Sequence, residues 1–370
     1  MQKKVLFFIH DLGHGGAEKV LINLVNNMDS EQFDITIMAL FGGGVNEQFL
    51  ASHIHYRTIF KKAFPGNSHV MKLVSPKTLH KCFVKEHYDI EVAYLEGPVV
   101  RIASGCQNKN TRLVSWIHCT MRSKKEFTVG FRSMKEAVEC NLRFDRTIFV
   151  SQEVQKAFES YCPNTQGQVL YNTNESEKIL EMADAAVDEK LFRKDEIKII
   201  GVGKIEEVKG FDRLARIHKR FRNEGYPVHT YILGEGSKRD ELEKLLSEEG
   251  VKDSFTFLGY QTNPYKYVRN CEIFVCSSHS EGFSTATTEA LIVGTPVVTT
   301  LVSGMKEMLG ENNEWGIVTE NNEEALYQGI KRLMDSTLLL QHYKENARER
   351  GKMFSTKNTV KAVEEMLKAL

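Results

Sequence analysis

The chain has no excess of either charge, no long apolar run and no paired cysteines, and each absence excludes a class of protein. Its 49 basic and 49 acidic residues balance, so no overall field would draw it onto nucleic acid. No window approaches the roughly 18 apolar residues of a membrane-spanning helix. The apolar run near the N-terminus ends after five residues, which is too short for the core of a signal peptide.

The seven cysteines are scattered, odd in number and never spaced as Cys-x-x-Cys. A disulfide framework or a cysteine-rich metal site would need paired cysteines, so we interpret them as reduced thiols and expect a cytoplasmic protein. The hydrophobic content of 41% and the charged content of 26% are those of a globular chain, and 370 residues predict two domains of ordinary size.

Short apolar runs alternate with longer amphipathic stretches, which is typical of parallel sheets with crossover helices. The sequence therefore predicts an α/β protein with two doubly wound, Rossmann-like domains. Residues 1–172 would form the first domain and residues 197–353 the second, with 173–196 as a polar linker. Strands are expected near 4–9, 34–40, 89–94, 112–117 and 146–151, and then near 197–202, 228–233, 254–258, 272–276, 296–300 and 315–318.

The segment from Glu281 to Glu289 carries the strongest functional signal. It reads Glu-Gly-Phe-Ser-Thr-Ala-Thr-Thr-Glu and runs into Ala-Leu-Ile-Val-Gly-Thr-Pro-Val-Val. Gly282 and Ser284 stand where a loop turns into a helix with Ser284 as its N-cap, so backbone N–H groups would converge on one point and bind an anion. Thr285 and Glu289 would share one face of that helix.

Two carboxylates on either side of an anion site suit a particular ligand. Carboxylates repel phosphate but accept hydrogen bonds from vicinal hydroxyl groups, so the arrangement fits a molecule with phosphate in the middle and a sugar at each end. A sugar nucleotide has that layout. The alternative is a capped, half-buried helix with two surface acids, because two acids eight residues apart are common by chance.

These residues resemble the paired-glutamate motif of the retaining glycosyltransferases of family four, which have the GT-B fold, and the resemblance extends along most of the chain. It implies two Rossmann-like domains facing across a cleft, with residues 354–370 as a helix that crosses back to the first domain. It also implies that Glu281 contacts hydroxyls of the transferred sugar, that Phe283 to Thr285 bind the diphosphate through their N–H groups, and that Glu289 binds the ribose.

Two glycine-containing turns that precede helices supply further donor candidates. The first strand ends in Gly13-His-Gly-Gly-Ala-Glu, which lacks the dinucleotide spacing and so disfavours a nicotinamide cofactor. It resembles the Gly-Gly-Ala-Glu turn that faces the donor phosphate in the family, which implicates Gly15 and Gly16. Lys204 and Lys209 lie in one loop of the second half and would stabilise a departing diphosphate, although the family usually has arginine at the position of Lys204. A tight turn and solvated lysines are the alternatives.

Five more residues lie where predicted strands end. His118, in Trp-Ile-His, resembles the Trp-x-His of the family, which implies a role near the transferred sugar; a structural histidine is the alternative. Glu96 would either meet the acceptor or cap a turn. Gly234-Glu235 and Tyr260 match family turns that enclose the nucleoside, although turn geometry explains their glycines equally well.

Arg122, Lys124 and Lys125 lie in a stretch that mixes cations with aromatic residues. They are expected on the acceptor side. Cations near an anionic surface would also dock the protein at the cytoplasmic face of a membrane. A solvated charged face is the alternative.

The resemblance and the motifs predict a retaining, metal-independent hexosyltransferase with His118, Glu281 and Lys209 as catalytic residues. The donor would be a nucleotide diphosphate sugar, UDP-linked, and the acceptor a hydroxyl of a growing glycan, such as a polyprenyl diphosphate-linked precursor. No Asp-x-Asp motif is present, so we expect no metal and no cofactor; the helix dipole and the lysines would neutralise the diphosphate. A sugar-nucleotide epimerase or hydrolase of the same fold and a non-catalytic partner of a true transferase are the alternatives.

Overall fold

The computed structural model describes residues 2–13, 15–64, 67–188, 191–192 and 195–370. Their contacts divide the chain into two units. Unit 1 comprises Met1–Asn174 and Thr356–Leu370, and unit 2 comprises Glu175–Ser355. Each unit contains one parallel sheet whose strands alternate with helices, which confirms the predicted α/β class with two Rossmann-like domains.

Unit 1 is built on a sheet with the strand order β3-β2-β1-β4-β5-β6-β7, parallel throughout its described length. The strands are β1 (Lys3–Ile9), β2 (Phe33–Phe41), β3 (His55–Phe60), β4 (Ile90–Tyr94), β5 (Arg112–Ile117), β6 (Arg146–Phe149) and β7 (Gly167–Val169). The helices are α1 (Gly16–Asn27), α2 (Asn67–Leu73), α3 (Pro76–Phe83), α4 (Pro98–Ala103), α5 (Lys124–Phe127), α6 (Met134–Asn141) and α7 (Gln152–Glu159).

The five strands expected in this half are present, but two edge strands, β3 and β7, were missed. The central strand β1 is almost entirely apolar and buried from Val5 to Ile9, as expected for a parallel strand covered on both faces. In contrast, β3 is His-Tyr-Arg-Thr-Ile-Phe and largely open to solvent, and β7 is only Gly-Gln-Val. Such edge strands bury little apolar surface, so no hydrophobic run marks them in the sequence.

Unit 2 repeats the architecture with the strand order β10-β9-β8-β11-β12-β13. All six predicted strands are present as β8 (Ile197–Val202), β9 (Val228–Leu233), β10 (Phe255–Gly259), β11 (Ile273–Cys276), β12 (Val297–Thr300) and β13 (Ile317–Thr319). The helices are α8 (Ser176–Ala183), α9 (Phe211–Asn223), α10 (Arg239–Glu248), α11 (Tyr265–Arg269), α12 (Thr285–Val293), α13 (Met305–Leu309), α14 (Glu323–Met334) and α15 (Thr337–Met353).

Helix α8 lies in the segment for which the sequence predicts a linker. It packs against α11 and α12 of unit 2, with Ile179 and Ala183 buried. The side-chain amide of Asn263 donates to the carbonyl of Met182 at 2.8 Å and so closes the end of the helix. The first part of that segment therefore belongs to the fold of unit 2.

The last helix, α16 (Thr356–Lys368), belongs to unit 1 although it follows unit 2 in the chain. It packs against α1 and buries Val363 and Leu367 completely. Its Glu364 carboxylate accepts the backbone N–H of Asp29 at 2.7 Å, and Nζ of Lys3 donates to the carbonyl of Leu367 at 3.0 Å. Unit 1 is thus assembled from two stretches of chain that are far apart in sequence.

The longest helix of the described chain is α15, with 17 residues, and it carries charged residues along much of its length. In the described residues we find no helix with both the length and the apolar composition needed to cross a bilayer.

Candidate functional site

Ligand sites in open parallel sheets form where neighbouring strands connect in opposite directions. In unit 2 this point lies between β8 and β11, because β8 leads through α9 to β9 on one side and β11 leads through α12 to β12 on the other. The turns that follow β8 and β11 therefore lie side by side at the carboxyl edge of the sheet. These turns contain the candidates Lys204 and Lys209, and Glu281.

Lys209 and Glu281 are in direct contact at this point. Nζ of Lys209 lies 2.6 Å from Oε1 of Glu281, and the hydroxyl of Ser278 donates to the same oxygen at 2.6 Å. The two charged side chains are 26% and 12% exposed, so a ligand can reach them, yet they are shielded enough to interact more strongly than a surface pair. Two of the predicted catalytic residues thus form one cluster.

A close backbone approach holds the two turns together. Gly210 ends the turn after β8 in a left-handed conformation, with φ 61°, and a Cβ there would lie 2.3 Å from the carbonyl oxygen of Ser277. The hydroxyl of Ser277 donates to the carbonyl of Lys209 at 2.8 Å, and the N–H of His279 donates to the carbonyl of Val208 at 2.8 Å. The position of Lys209 is therefore fixed by the turn that carries Glu281.

Helix α12 begins at Thr285, four positions after Glu281, with Ser284 as its N-cap as predicted. The Ser284 hydroxyl accepts the N–H of Thr287 at 3.3 Å. Phe283 is buried against Phe354, with ring centroids 6.2 Å apart, and this contact anchors the segment that precedes the helix. The N-terminal end of the helix carries a partial positive charge, so an anion beside Gly282 and Thr285 would be stabilised.

Glu289 lies one turn further along α12 and is half-buried. The hydroxyl of Tyr265 donates to its Oε1 at 3.2 Å. Thr285, four residues earlier, is also half-buried and lies on the same helix face. The structure therefore places the second glutamate of the motif behind the helix start, where the sequence predicted it, and the role of that glutamate stays a prediction.

The other donor candidates in unit 2 have weaker support. Lys204 is exposed, and Tyr260 is 77% exposed. A Cβ on Gly234 would lie 2.0 Å from a backbone carbonyl of the turn after β8, so strand packing alone requires glycine there. Glu235 forms a bidentate pair with Arg239 at 2.7 and 2.8 Å. Packing and an ion pair with the first residue of α10 thus explain Gly234 and Glu235 without a ligand.

Sequence reasoning missed several residues that support this site, notably Ser277, Ser278 and Arg213. Arg213 is 5% exposed, donates to the side chain of Asn321 at 2.8 Å and contacts the ring of His279. Asn321 in turn donates to the His279 carbonyl at 3.1 Å. The side chains of Arg213 and Asn321 therefore both contact His279 and stabilise the turn after β11. A charged residue on the apolar face of α9 is the sequence signal that could have identified Arg213; the two serines have none.

In unit 1 the corresponding point lies between β1 and β4, and the glycine turn follows β1. Gly15 is the N-cap residue of α1, and a Cβ on it would lie 1.9 Å from the carboxylate of Glu18. A Cβ on Gly16 would meet nothing within 4 Å. His14 lies outside the described residues. A shift of the flexible Glu18 side chain would relieve the overlap at Gly15, and the open space at Gly16 leaves room for a ligand.

Glu96 connects the turns that follow β4 and β5. Its carboxylate accepts the backbone N–H of His118 at 3.3 Å and that of Cys119 at 2.8 Å, and burial raises the pKa of this carboxyl. The preceding residue, Leu95, has φ 90°, a conformation that costs energy for a side chain of this kind. Glu96 thus has the capping role that the sequence left open, at a strained turn of the kind often found at functional sites.

His118 is 8% exposed, and its Nε2 has no hydrogen-bond partner among the described residues. Its ring lies 4.6 Å from that of Tyr94 and 6.3 Å from that of Trp116. The Tyr94 hydroxyl and the Trp116 indole nitrogen are likewise unpaired in the described structure. Burial lowers the pKa of His118 to about 3, so the ring is neutral. Three buried polar atoms without partners among the described residues are costly.

Arg122, Lys124 and Lys125, the predicted acceptor-side cations, lie at the exposed surface around α5. Val129, which follows this helix, is 54% exposed. The structure thus places cations and an apolar side chain on adjacent surface without showing what they contact.

Comparison with known proteins identifies the class. Residues 183–350 match the family model of glycosyl transferases group 1, and residues 14–173 match that of Glycosyltransferase Family 4. The chain is 28% identical over 382 aligned residues to the N-acetylgalactosamine-N,N'-diacetylbacillosaminyl-diphospho-undecaprenol 4-alpha-N-acetylgalactosaminyltransferase of Campylobacter jejuni, covering 100% of this chain and 99% of that protein. It is 25% identical to the poly(ribitol-phosphate) alpha-N-acetylglucosaminyltransferase of Staphylococcus aureus over 41% of this chain and 31% of that one.

Solved structures agree on the fold. HepE of Anabaena in complex with UDP superposes with a TM-score of 0.79 at 19% identity, over 99% of this chain and 100% of that one. Sucrose-phosphate synthase of Thermosynechococcus elongatus also reaches 0.79, at 18% identity, over 100% and 99%. The protein is a glycosyltransferase with the GT-B fold. Within that class the chain belongs to glycosyltransferase family four, which confirms the resemblance seen in the sequence.

We predict that Lys209→Ala lowers kcat/KM for sugar transfer by roughly 10- to 150-fold, the equivalent of one charged hydrogen bond of about 1.5–3 kcal/mol. Lys244→Ala is the matched control, because Lys244 is 77% exposed on α10 of the same unit and should leave kcat/KM unchanged. Steady-state kinetics with the purified variants provide the measurement.

The contact between Lys209 and Glu281 allows a second explanation for a lower kcat/KM in Lys209→Ala. In that explanation kcat/KM falls only because Glu281 is left without its cation. A double-mutant cycle with Glu281→Gln separates the two. If Lys209 contacts the donor, Lys209→Ala still lowers kcat/KM in the Glu281→Gln background. No further loss in that background would contradict a direct role for Lys209.

We also predict that the ring of His118 stays neutral between pH 5 and 8. Burial holds its pKa at about 3, below the unfolded value near 6.5, so its contribution to folding stability is complete above about pH 6.5 and declines as the pH falls toward 3. NMR of ring-labelled protein measures this, with His118→Asn assigning the resonance. A titration of that resonance with a midpoint between pH 5 and 8 would show that the ring is solvated.

Proposed function

We propose that this glycosyltransferase retains the anomeric configuration and moves a hexose or N-acetylhexosamine from a UDP-linked donor to a hydroxyl of a lipid-linked glycan, a precursor of a surface polysaccharide. The observation that carries the proposal is the 2.6 Å contact between Lys209 and Glu281 beside the N-terminus of α12. It brings a cation, a carboxylate and a helix dipole to one place. Support comes from HepE, crystallised with UDP and with UDP-glucose, and from the undecaprenol diphosphate in the name of the Campylobacter relative.

The diphosphate would be neutralised by the protein alone. The ammonium group of Lys209 has three donors, so it can keep its bond to Glu281 and still donate to a phosphate oxygen. The N–H groups at the start of α12 and the helix dipole add further stabilisation, which increases as negative charge develops on the leaving group. A divalent metal is therefore not needed in this proposal.

Glu281 suits sugar recognition better than nucleophilic attack. One of its oxygens already accepts from Lys209 and Ser278, which reduces its nucleophilicity and fixes its orientation. Its other oxygen can accept a hydrogen bond from a hydroxyl of the transferred sugar. We propose displacement on the front face, in which the acceptor oxygen bonds to the anomeric carbon as the bond to phosphate breaks. The departing phosphate oxygen takes the acceptor's proton, and the configuration is retained.

Glu289 and His118 would bind hydroxyl groups. Tyr265 donates to one Glu289 oxygen, and an ionised carboxylate has about four acceptor positions, so Glu289 can also accept from the vicinal hydroxyls of a ribose. In unit 1, the unpaired Nε2 of neutral His118 suits a hydrogen bond to a sugar hydroxyl. Both groups would therefore contribute orientation rather than proton transfer.

Peripheral contact with the cytoplasmic face of a membrane is part of the proposal. Arg122, Lys124 and Lys125 are exposed beside Val129, and a cation near an anionic surface contributes about 1 kcal/mol. A lipid-linked acceptor would be reached from such a surface.

Transfer to that acceptor should therefore be faster in anionic vesicles than in neutral ones, and charge reversal at the three cations should abolish the difference.

The decisive experiment is a panel of mass-tagged sugar nucleotides, with and without a polyprenyl diphosphate-linked acceptor, in the presence of EDTA. We expect one UDP-sugar to be transferred only when acceptor is present, with retained configuration in the product and no loss in EDTA. Epimerised or hydrolysed donor without acceptor would favour the epimerase or hydrolase alternative. Activity lost in EDTA and restored by Mg²⁺ would contradict the proposed neutralisation of the diphosphate.

The proposed ribose contact predicts that Glu289→Gln weakens the binding of UDP itself by roughly 10- to 150-fold, because a charged hydrogen bond is lost. Isothermal titration with UDP measures the affinity. Glu248→Gln, at an exposed position of α10, is the matched control and should bind UDP like the unchanged protein. Equal UDP affinity in the two variants would exclude the ribose assignment.

A further inference from the structure

Three side chains of unit 1 with metal-binding atoms come together away from the glycine turn. They are His80 on α3, Glu91 on β4 and Cys106 just after α4. Nε2 of His80 lies 2.8 Å from Oε2 of Glu91, and one ligand atom from each of the three residues lies within 4.8 Å of the others. We refer to these three residues as the His80 cluster.

The His80 cluster is well buried. Glu91 is 3% exposed, Cys106 is 4% exposed and the His80 side chain is 13% exposed. Glu91 lies in a central strand, between Leu6 of β1 and Leu113 of β5, where an apolar residue is usual. A carboxylate at such a place needs compensation, which His80 supplies in part. The thiol beside this pair adds a third ligand type that compensation alone does not require.

We propose that the His80 cluster binds Zn²⁺, with His80, Glu91 and Cys106 as ligands and water in the fourth position. Nitrogen, oxygen and sulfur together suit Zn²⁺, whereas Mg²⁺ and Ca²⁺ prefer oxygen ligands alone. Tetrahedral coordination at about 2.0–2.3 Å puts ligand atoms roughly 3.3–3.8 Å apart, so side-chain shifts of about 1 Å suffice. The partly open edge at His80 admits the water.

The site would stabilise unit 1 rather than take part in transfer. Glu91 lies near the amino end of β4, whereas Glu96 follows its carboxyl end, about 16 Å away at roughly 3.3 Å per residue. Bound zinc would join α3, β4 and the segment after α4. Because metal bound only to the folded state stabilises it by mass action, added Zn²⁺ should raise the Tm of the protein.

Cobalt substitution tests the proposal, because Co²⁺ bound to a thiolate gives a charge-transfer band in the near ultraviolet. The metal-free full-length protein should bind one equivalent of Co²⁺ with that band, and Zn²⁺ should displace it. Cys106→Ser should abolish the band. Cys82→Ser should keep the band, since Cys82 is an exposed thiol outside the cluster, on the helix α3 that also carries His80. Loss of a second-sphere partner costs 10- to 100-fold in metal affinity, so His80→Gln and Glu91→Gln should each cost at least about tenfold.

Two results would overturn the zinc site. One is the absence of a thiolate band at one equivalent of Co²⁺ in the unchanged protein. This measurement does not depend on the folding of any variant. The other is a band that survives Cys106→Ser or disappears in Cys82→Ser. Circular dichroism of each variant shows that it is folded.

Discussion

The turns after β8 and β11 touch through their backbones at Gly210, where the carbonyl of Ser277 occupies the space that any side chain would need. The close contact of the two backbones lets the Ser277 hydroxyl donate to the carbonyl of Lys209. With its backbone held in this way, Lys209 directs its ammonium group to Glu281. Helices α9 and α12 both start from these turns. A cation, a carboxylate and a helix N-terminus therefore share one location because two strands of one sheet diverge there.

The two units repeat one architecture but present different chemistry at the corresponding point. In unit 2 the strand divergence holds a charged pair, Lys209 and Glu281, which suits phosphate and its surrounding hydroxyls. In unit 1 the corresponding strand ends carry buried rings instead, and the Tyr94 hydroxyl, the Trp116 indole nitrogen and Nε2 of His118 have no partner among the described residues. A charge beside these rings would be poorly solvated. The two units thus place different chemistry at the point where their strands diverge.

Much of the fold could be predicted from local pattern. The central strand β1 has an apolar run from Val5 to Ile9 and β8 is apolar apart from Lys198, whereas the edge strands β3 and β7 have no such signal and were missed. In the site, the helix start at Ser284 follows from local capping chemistry and was found. Ser277 and Arg213 act through contacts with residues distant in sequence, Lys209 and Asn321, which no single-sequence pattern encodes. The partner of Glu235 is Arg239, at the start of α10 and only four residues further along the chain, and the sequence analysis did not identify it.

Helix α16 follows unit 2 in the chain but completes unit 1, and the Thr356 hydroxyl donates to the carbonyl of Asn174 across 182 positions of sequence. During synthesis at about 5–20 residues per second, roughly 10 to 40 s separate the emergence of these two residues from the ribosome. For that interval the surface of α1 that α16 covers remains open to water, while the whole of unit 2 is being made. The nascent chain therefore exposes an apolar surface that chaperones could bind, and unit 2 can finish folding before unit 1.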